Sequence, residues 1–432
     1  MSHPKTPLDL DLAIVGAGIC GVIALHYARR AGLHARVFDA QPTVGGLWRQ
    51  LPAWQDIQIA AADWTIGDIP LAGTFQPHIV ANIEAWVERF DMANDIALST
   101  PVRATPRPGG WTVATPEGDV AAANLLAATG AHNVAFIPPV RRVGSEVAEL
   151  HSSALEDPGV LAGKSVLVIG AGASALDLLD LAVQHGAREI AWAHRGLRWF
   201  TPTRKPKAVA GSVRDLSRLQ AAGMTHAQQS AAIEGDLRGR YAKMGLQSIM
   251  PAYAFDILQQ QLVPGRHRMI EHFASIRRIA AGPELIEGKT VTLTDGTQLQ
   301  TDLVLWGTGY TTDLSWLDVP ALATVRNTHD LRRRCGGAFR SLDAPQLFLP
   351  AVGLDGVGST SFAYSLSCRS IMSHIRGTAD LGLDPVLHNI NHFDLVTYLA
   401  PRDPASFPAG WEKRYRDLQL ETPDDQPYPM PP

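Results

Sequence analysis

The run Leu8-Asp-Leu-Asp-Leu-Ala-Ile-Val15 first alternates polar with apolar residues and then turns wholly apolar. This is the pattern of a strand that enters a sheet and becomes buried on both faces. Gly16-Ala17-Gly18-Ile19-Cys20-Gly21 follows, then a helical stretch from about Cys20 to Ala31, then a short strand, Ala35 to Phe38, ending at Asp39. The same order returns downstream. Ser165 to Ile169 reads as a strand and Gly170-Ala171-Gly172-Ala173-Ser174-Ala175 as the turn. A helix runs on to about Gln184 and stops at Gly186, and Glu189 to Ala193 forms the next strand, closing on His194-Arg195.

Each copy is followed by a small antiparallel piece and then a strand ending in Thr-Gly. Trp111 to Thr115 turns near Glu117-Gly118 into Asn124 to Ala128 and Thr129-Gly130. Thr290 to Gln300 folds about Asp295-Gly296 and leads into Thr301 to Trp306 and Gly307-Thr308-Gly309-Tyr310. Phe348 to Val352, with Gly353 after it, predicts a late strand returning to the first half, and Ser359 to about Arg376 a helix that would lie over the first site's cofactor. The stretch from Ser212 to Arg268 reads as helical packing or a substrate cap, with Met244 and Met250 as core filling. These elements predict an α/β fold with two Rossmann-like dinucleotide-binding domains, the second inserted in the first. Residues 1–155 and 326–432 then form the first nucleotide domain and its tail, and 156–325 the second.

The glycines carry the chemistry. Gly16 permits the tight turn, Gly18 lets backbone approach a pyrophosphate, and Gly21 lets the helix pack near the sheet. The helix N-terminus then faces the phosphates. Asp39 can accept from a ribose and repels a 2'-phosphate, so the first site suits FAD or NAD. In the second copy Gly170 and Gly172 repeat these roles, Ser174 lies at the helix start, and Ala175 takes the third small position. Arg195 stands where the first copy has its acid and can pair with a 2'-phosphate, which points to NADPH. Arg198, Arg204 and Lys205 are near enough to share that task, although each arginine is equally readable as a solvated loop charge. Two sites in one chain imply hydride passing from a nicotinamide to a flavin.

Composition narrows the class. With 46% apolar and 19% charged residues and a formal net charge of -4, the chain reads as an ordinary globular protein with no nucleic-acid groove. Cys20, Cys335 and Cys368 form neither CxxC nor CxxxxC, which argues against a dithiol reductase and fits a reducing cytoplasm. The 15 histidines make no HxH or HExxH, so no metal is expected. No apolar run is long enough for a membrane span, and 421–432 reads as an irregular tail.

Together these segments resemble the class B flavoprotein monooxygenases, which include flavin-containing, N-hydroxylating, Baeyer–Villiger and YUCCA-type enzymes. The resemblance runs over roughly residues 8 to 380. Besides the two fingerprints it rests on Gly45-Gly46-Leu47-Trp48, on Pro77 to Phe90 with Trp86, on the paired Thr-Gly segments, and on Leu150-His151-Ser152-Ser153 before the second fingerprint. It implies FAD and NADPH as cofactors, dioxygen and a small molecule as substrates, and a homodimer as a reasonable assembly. It further implies a C4a-(hydro)peroxyflavin that oxygenates nitrogen, sulfur or a carbonyl carbon. An NAD(P)H oxidase or flavin reductase is the alternative.

By the same resemblance Gly46, Leu47, Trp48, Thr129, Gly130, Gly309 and Gly353 lie at the cofactors, Trp48 beside the flavin ring or else as simple core filling. His151 becomes the candidate functional histidine, used mainly for architecture near NADPH. Asp56 is a candidate acid partner for an active-site arginine. Asn82 is a candidate flavin-proximal asparagine, or else a helix-surface residue. The chain departs from the pattern in lacking Phe-x-Gly before His151 and in carrying Ala154-Leu155-Glu156 where the signature usually closes on Tyr-Lys or Trp-Pro. The Baeyer–Villiger arginine has no clear match, which leans the reading away from that chemistry.

Overall fold

The computed structural model describes residues 9–57, 66, 69–203, 223–260, 262–353, 360–384, 395, 398–399 and 401–403. The chain forms two compact units. One comprises Met1–Gln50, Ala60–Val134 and Thr311–Pro432, the other Leu51–Ile59 and Ala135–Tyr310.

In the first unit β1 (Leu10–Val15) leads through the glycine turn to α1 (Ile19–Arg30), β2 (Ala35–Phe38), α2 (Leu47–Gln50), α3 (Gln76–Arg89) and β3 (Ile96–Ala97). A meander of β4 (Arg103–Arg107), β5 (Gly110–Thr115) and β6 (Gly118–Ala127) follows. Past β7 (Val134–Ala135), the second unit contains β8 (Arg141–Val143), β9 (Ala148–His151), β10 (Ser165–Ile169), α4 (Ala173–Gln184), β11 (Glu189–Ala193) and β12 (Phe200–Thr201). It continues with α5 (His226–Lys243), β13 (Val263–Pro264), α6 (His267–Glu271), β14 (Ile276–Ile279), β15 (Pro283–Glu287), β16 (Thr290–Leu293), β17 (Gln298–Gln300) and β18 (Leu303–Trp306). After β19 (Tyr310–Thr311) the first unit resumes with α7 (Thr328–Arg332), β20 (Leu347–Phe348), α8 (Pro350–Gly353) and α9 (Thr360–Ile375).

The first sheet runs β3-β2-β1-β6-β5-β4, with β20 also on β6. The strands β3, β2, β1 and β6 are parallel, while β4, β5 and β6 pair antiparallel. One edge of β6 is shared: its start pairs with β5 through Ala122 and Trp111, and its end pairs with β20 through Leu125 and Leu347. The second sheet is parallel, in the order β14-β11-β10-β18-β9. In both, the strand after the first crossover lies on one side of the entry strand (β1 or β10) and a much later strand on the other. A topological switch point therefore falls at the C-terminal end of each, where the glycine turns are. Every residue of β10 and β18 is buried, as expected of central parallel strands that are apolar apart from Ser165 at the start of β10.

Two expectations change. The strand expected over Phe348 to Val352 ends at Phe348, because Pro350 opens a short helix there and lacks the N–H a ladder needs. The unit boundaries fall at 134/135 and 310/311 rather than at 155/156 and 325/326. The reason is pairing: β8 joins β15 and β9 joins β18, so 135–155 belongs with the later strands. Residues 51–59 join the second unit too, through the Trp54 indole on the Leu155 carbonyl at 2.5 Å and Gln55 on the Asp177 carboxylate at 3.3 Å.

Candidate dinucleotide-binding sites

Both glycine turns are built by exclusion. Gly16 has φ +108, and a Cβ there would stand 2.6 Å from the Ala128 carbonyl oxygen; one on Gly21 would stand 1.8 Å from the oxygen of Gly16. Gly170 has φ +133, and its Cβ would meet the Gly307 oxygen at 2.2 Å. The two units trade one methyl. The first has Gly21 against Ala128; the second has Ala175 against Gly307, where a Cβ would sit 2.6 Å from the Ala175 Cα.

The outer glycines behave differently. Among the described residues nothing lies within 4 Å of a Cβ built on Gly130, Gly172 or Gly309, and Gly18 meets only Gly46, its Cα at 3.6 Å. The turns are packed toward the sheet and open on the opposite side. Neither Gly18 nor Gly172 gives its helix a side-chain cap, and neither helix has an acid in its first turn. Free N–H groups at an open, positive helix end suit a pyrophosphate. Ser174 is exposed to an intermediate degree in the first turn of α4.

Around the first turn, the Gly45 N–H donates to the Ala17 carbonyl at 3.0 Å, and Gly46, at φ +56, crosses Gly18 so closely that its Cβ would meet the Gly18 Cα at 2.9 Å. The following Leu47 and Trp48 open α2. That helix is tied to α3 by Gln76 on the Trp48 carbonyl at 2.7 Å and by an Arg49–Glu84 ion pair. Asp39 ends β2, buried, and accepts from the Ala17 N–H at 2.5 Å and from the Gln41 N–H at 2.8 Å. It therefore braces the glycine turn as well as presenting a carboxylate, whose remaining lone pairs can take ribose hydroxyls. Thr129 and Gly130 follow β6 beside Gly16. Gly353 ends α8.

Asn82 is not on a helix surface. It is buried on α3, donates to the Ile69 carbonyl at 2.9 Å and leaves its Oδ1 without a partner among the described residues. Cys20 is fully enclosed in α1 with the Cys368 thiol of α9 beside it, and burial pushes its own thiol well up. That opposes the thiolate chemistry a dithiol reductase needs.

In the second unit Arg195 is exposed just past β11, its stem lying over Gly282. Arg204 and Lys205 fall outside the described residues, while Arg198 is exposed nearby. The sequence reading missed Arg278. It pairs with Trp192 across β14 and β11, is exposed, and its charge reaches His194. Asp56 lies half-buried in the 51–59 segment.

His151 ends β9, buried. Its Nε2 faces the Gly309 carbonyl at 2.9 Å, so Nε2 carries the proton, and Nδ1 accepts from the Ser153 N–H at 3.2 Å and hydroxyl at 2.8 Å. The ring thus orients the Gly307–Tyr310 turn rather than standing free as an acid or base. Also missed were Asp177 and Asp180 on α4. Asp177 meets Arg266 Nε at 2.5 Å with both side chains buried, and Asp180 takes Arg268 at 3.1 Å and the Met269 N–H at 2.9 Å. They bolt the β13–α6 segment to the nucleotide helix.

Four histidines are held below their ordinary range, each by burial first: His26 and His194 at about 4, His151 and His374 in the same direction. Unfolding would let them take up protons, so stability falls as pH drops. We expect the unfolding midpoint to decline from about pH 6.5 toward about 4. A His194→Gln variant should flatten that decline in thermal melts run across this range; an unchanged slope would remove His194 from the account.

A family model described as pyridine nucleotide-disulphide oxidoreductase matches residues 13–235. A Baeyer–Villiger monooxygenase of Streptomyces coelicolor is 23% identical over 71% of this chain and 66% of its own. A ferredoxin–NADP reductase of Paraburkholderia xenovorans is 34% identical over 44% of this chain and 52% of its own, so the chain spans about half of that relative. Among solved structures, a flavin-containing monooxygenase from Stenotrophomonas maltophilia superposes with a TM-score of 0.59 at 18% identity, covering 85% of this chain and 98% of its own. The α/β fold is thus that of the two-dinucleotide flavin monooxygenases, as the sequence resemblance expected.

Proposed function

Because this chain belongs to the pyridine nucleotide-disulphide oxidoreductase family, we propose that it is an FAD-dependent, NADPH-using monooxygenase, with FAD on the first unit and NADPH on the second. The observation that carries this reading is the contrast between two like cradles. Each has an open glycine turn before an uncapped helix, but one ends in buried Asp39 and the other in exposed Arg195 with Arg278 nearby. A carboxylate suits an unmodified ribose, and a cation suits a 2'-phosphate.

When bound, the flavin would accept a hydride from NADPH and activate dioxygen for transfer to nitrogen, sulfur or a carbonyl carbon of a small substrate. The chain's own residues bind and orient. Gly18 and Gly172 admit the pyrophosphates, Asp39 holds a ribose, Arg195 anchors the phosphate, and His151 sets the Gly309 turn. The three described cysteines are free and buried, which supports a reducing cytoplasm, and no helix among the described residues is long and apolar enough to cross a membrane.

The test is stopped-flow spectroscopy of the FAD-loaded protein, reduced anaerobically with NADPH and mixed with oxygenated buffer. We expect a transient flavin spectrum distinct from the oxidised and reduced forms, decaying faster with a suitable substrate. Direct return to oxidised flavin with stoichiometric hydrogen peroxide would favour the second reading, an NADPH oxidase or flavin reductase. The similarity to a ferredoxin–NADP reductase supports that alternative.

A further inference from the structure

The strands of the second unit's parallel sheet end in one register row: Ile279, Ala193, Ile169, Trp306 and His151 lie side by side on β14, β11, β10, β18 and β9. The residues just C-terminal to each strand therefore line a single edge of the sheet. Across that edge come Arg195 beyond β11, the glycine turn and α4 beyond β10, the Gly307–Tyr310 turn beyond β18, and Ser152 and Ser153 beyond β9. Neighbouring strands lie about 4.8 Å apart, so the β11 and β9 ends are separated by about 14 Å. A dinucleotide with its 2'-phosphate at Arg195 and its pyrophosphate at Gly172 has only its second ribose and nicotinamide left to place. These fall over β18 and β9.

At that end the chain offers a cluster of hydroxyls. Tyr310 stands edge-on to His151, with ring centroids 5.0 Å apart, and its phenol leans first on the Ser153 hydroxyl and then on Ser152. Ser153 is held by the His151 Nδ1 at 2.8 Å. Ser152 is 3% exposed, and apart from that phenol its Oγ has no hydrogen-bond partner among the described residues. A buried hydroxyl with bonding capacity to spare is usually explained by a further group that joins it. A hydroxyl both donates and accepts, which matches the diol of a ribose and the carboxamide of nicotinamide.

We infer that Ser152 and Tyr310 hold the nicotinamide-ribose arm of the dinucleotide, while His151 fixes Ser153 and through it the phenol. This rests on the NADPH reading above. The test is calorimetric titration of the full chain and its Ser152→Ala and Tyr310→Phe variants with two probes. One is NADP+; the other is an adenosine bisphosphate carrying the 2'-phosphate but no nicotinamide. We expect each variant to bind NADP+ about tenfold more weakly than the parent, with the adenosine probe unaffected. NADP+ binding unchanged in both variants, or both probes weakened alike, overturns the assignment. An unsubstituted chain that binds neither probe overturns the NADPH reading itself.

Discussion

Gly172→Ala is expected to leave the second unit folded and to weaken NADPH binding by about tenfold or more, a free-energy loss of about 1.4 kcal/mol or greater. The backbone there, at φ -92 and ψ -172, is open to any residue, and an added Cβ meets nothing within 4 Å among the described residues. Any lost affinity therefore reports the approach of a ligand to the backbone and not a disturbed fold. Gly307→Ala is the counterpart. Its Cβ would stand 2.6 Å from the Cα and 2.8 Å from the N of Ala175, and helix backbone cannot step aside as a flexible side chain can. Overpacking of this kind typically costs about 1–3 kcal/mol and sometimes more, so a large fall in melting temperature is expected. Thermal unfolding and NADP+ titration of both variants check the pair. If Gly172→Ala binds NADPH as tightly as the parent, the open side of that turn is not where the nucleotide lies.

Asp177→Ala is expected to destabilise the second unit by about 3–5 kcal/mol, because it strands a buried guanidinium. Arg266 would keep only the Pro264 and Gly265 carbonyls, and its side chain is 6% exposed. Replacing both partners with apolar residues of similar size, Asp177→Leu with Arg266→Met, should recover most of the loss, since the desolvation penalty disappears with the charges. Arg268→Ala should have a much smaller effect, about 1 kcal/mol or less, because that guanidinium is 39% exposed. Urea unfolding of the variants measures all three. A loss below about 1 kcal/mol for Asp177→Ala, the range of an exposed pair, would show that water reaches the Arg266 site.

How far the sequence reveals this molecule depends on the range of the interactions involved. Ser165–Ile169 and Glu189–Ala193 are legible to the residue, since a short apolar run behind one polar residue, with a glycine close by, has few other uses. The glycine turns are legible because each role, a positive φ or a close approach, is encoded locally. The membership of 135–155 in the second unit is hidden, because it depends on β9 pairing with a strand more than a hundred residues later. The Asp177–Arg266 contact joins residues 89 apart, and neither residue type nor period announces it. Asn82 illustrates a subtler limit. A polar residue on a helix is read as exposed, whereas here a loop carbonyl at Ile69 draws it inward. At Phe348 the apolar run reads as a strand through Val352, but Pro350 within it cannot donate to a ladder and opens a helix instead.

The divided edge of β6 also has a bearing on how the chain is made. Its partner β20 begins at Leu347, roughly 220 residues after β6 ends at Ala127. At synthesis rates of about 5–20 residues/s, the ribosome needs on the order of 11–44 s to supply it. Throughout that interval the nascent first sheet carries a bare apolar rim at Leu125 and Leu126, while all strands of the second sheet emerge before β20 does. The vulnerable species is thus an N-terminal half awaiting its last strand, and a ribosome stalled before Leu347 would leave it open to aggregation or to capture by chaperones.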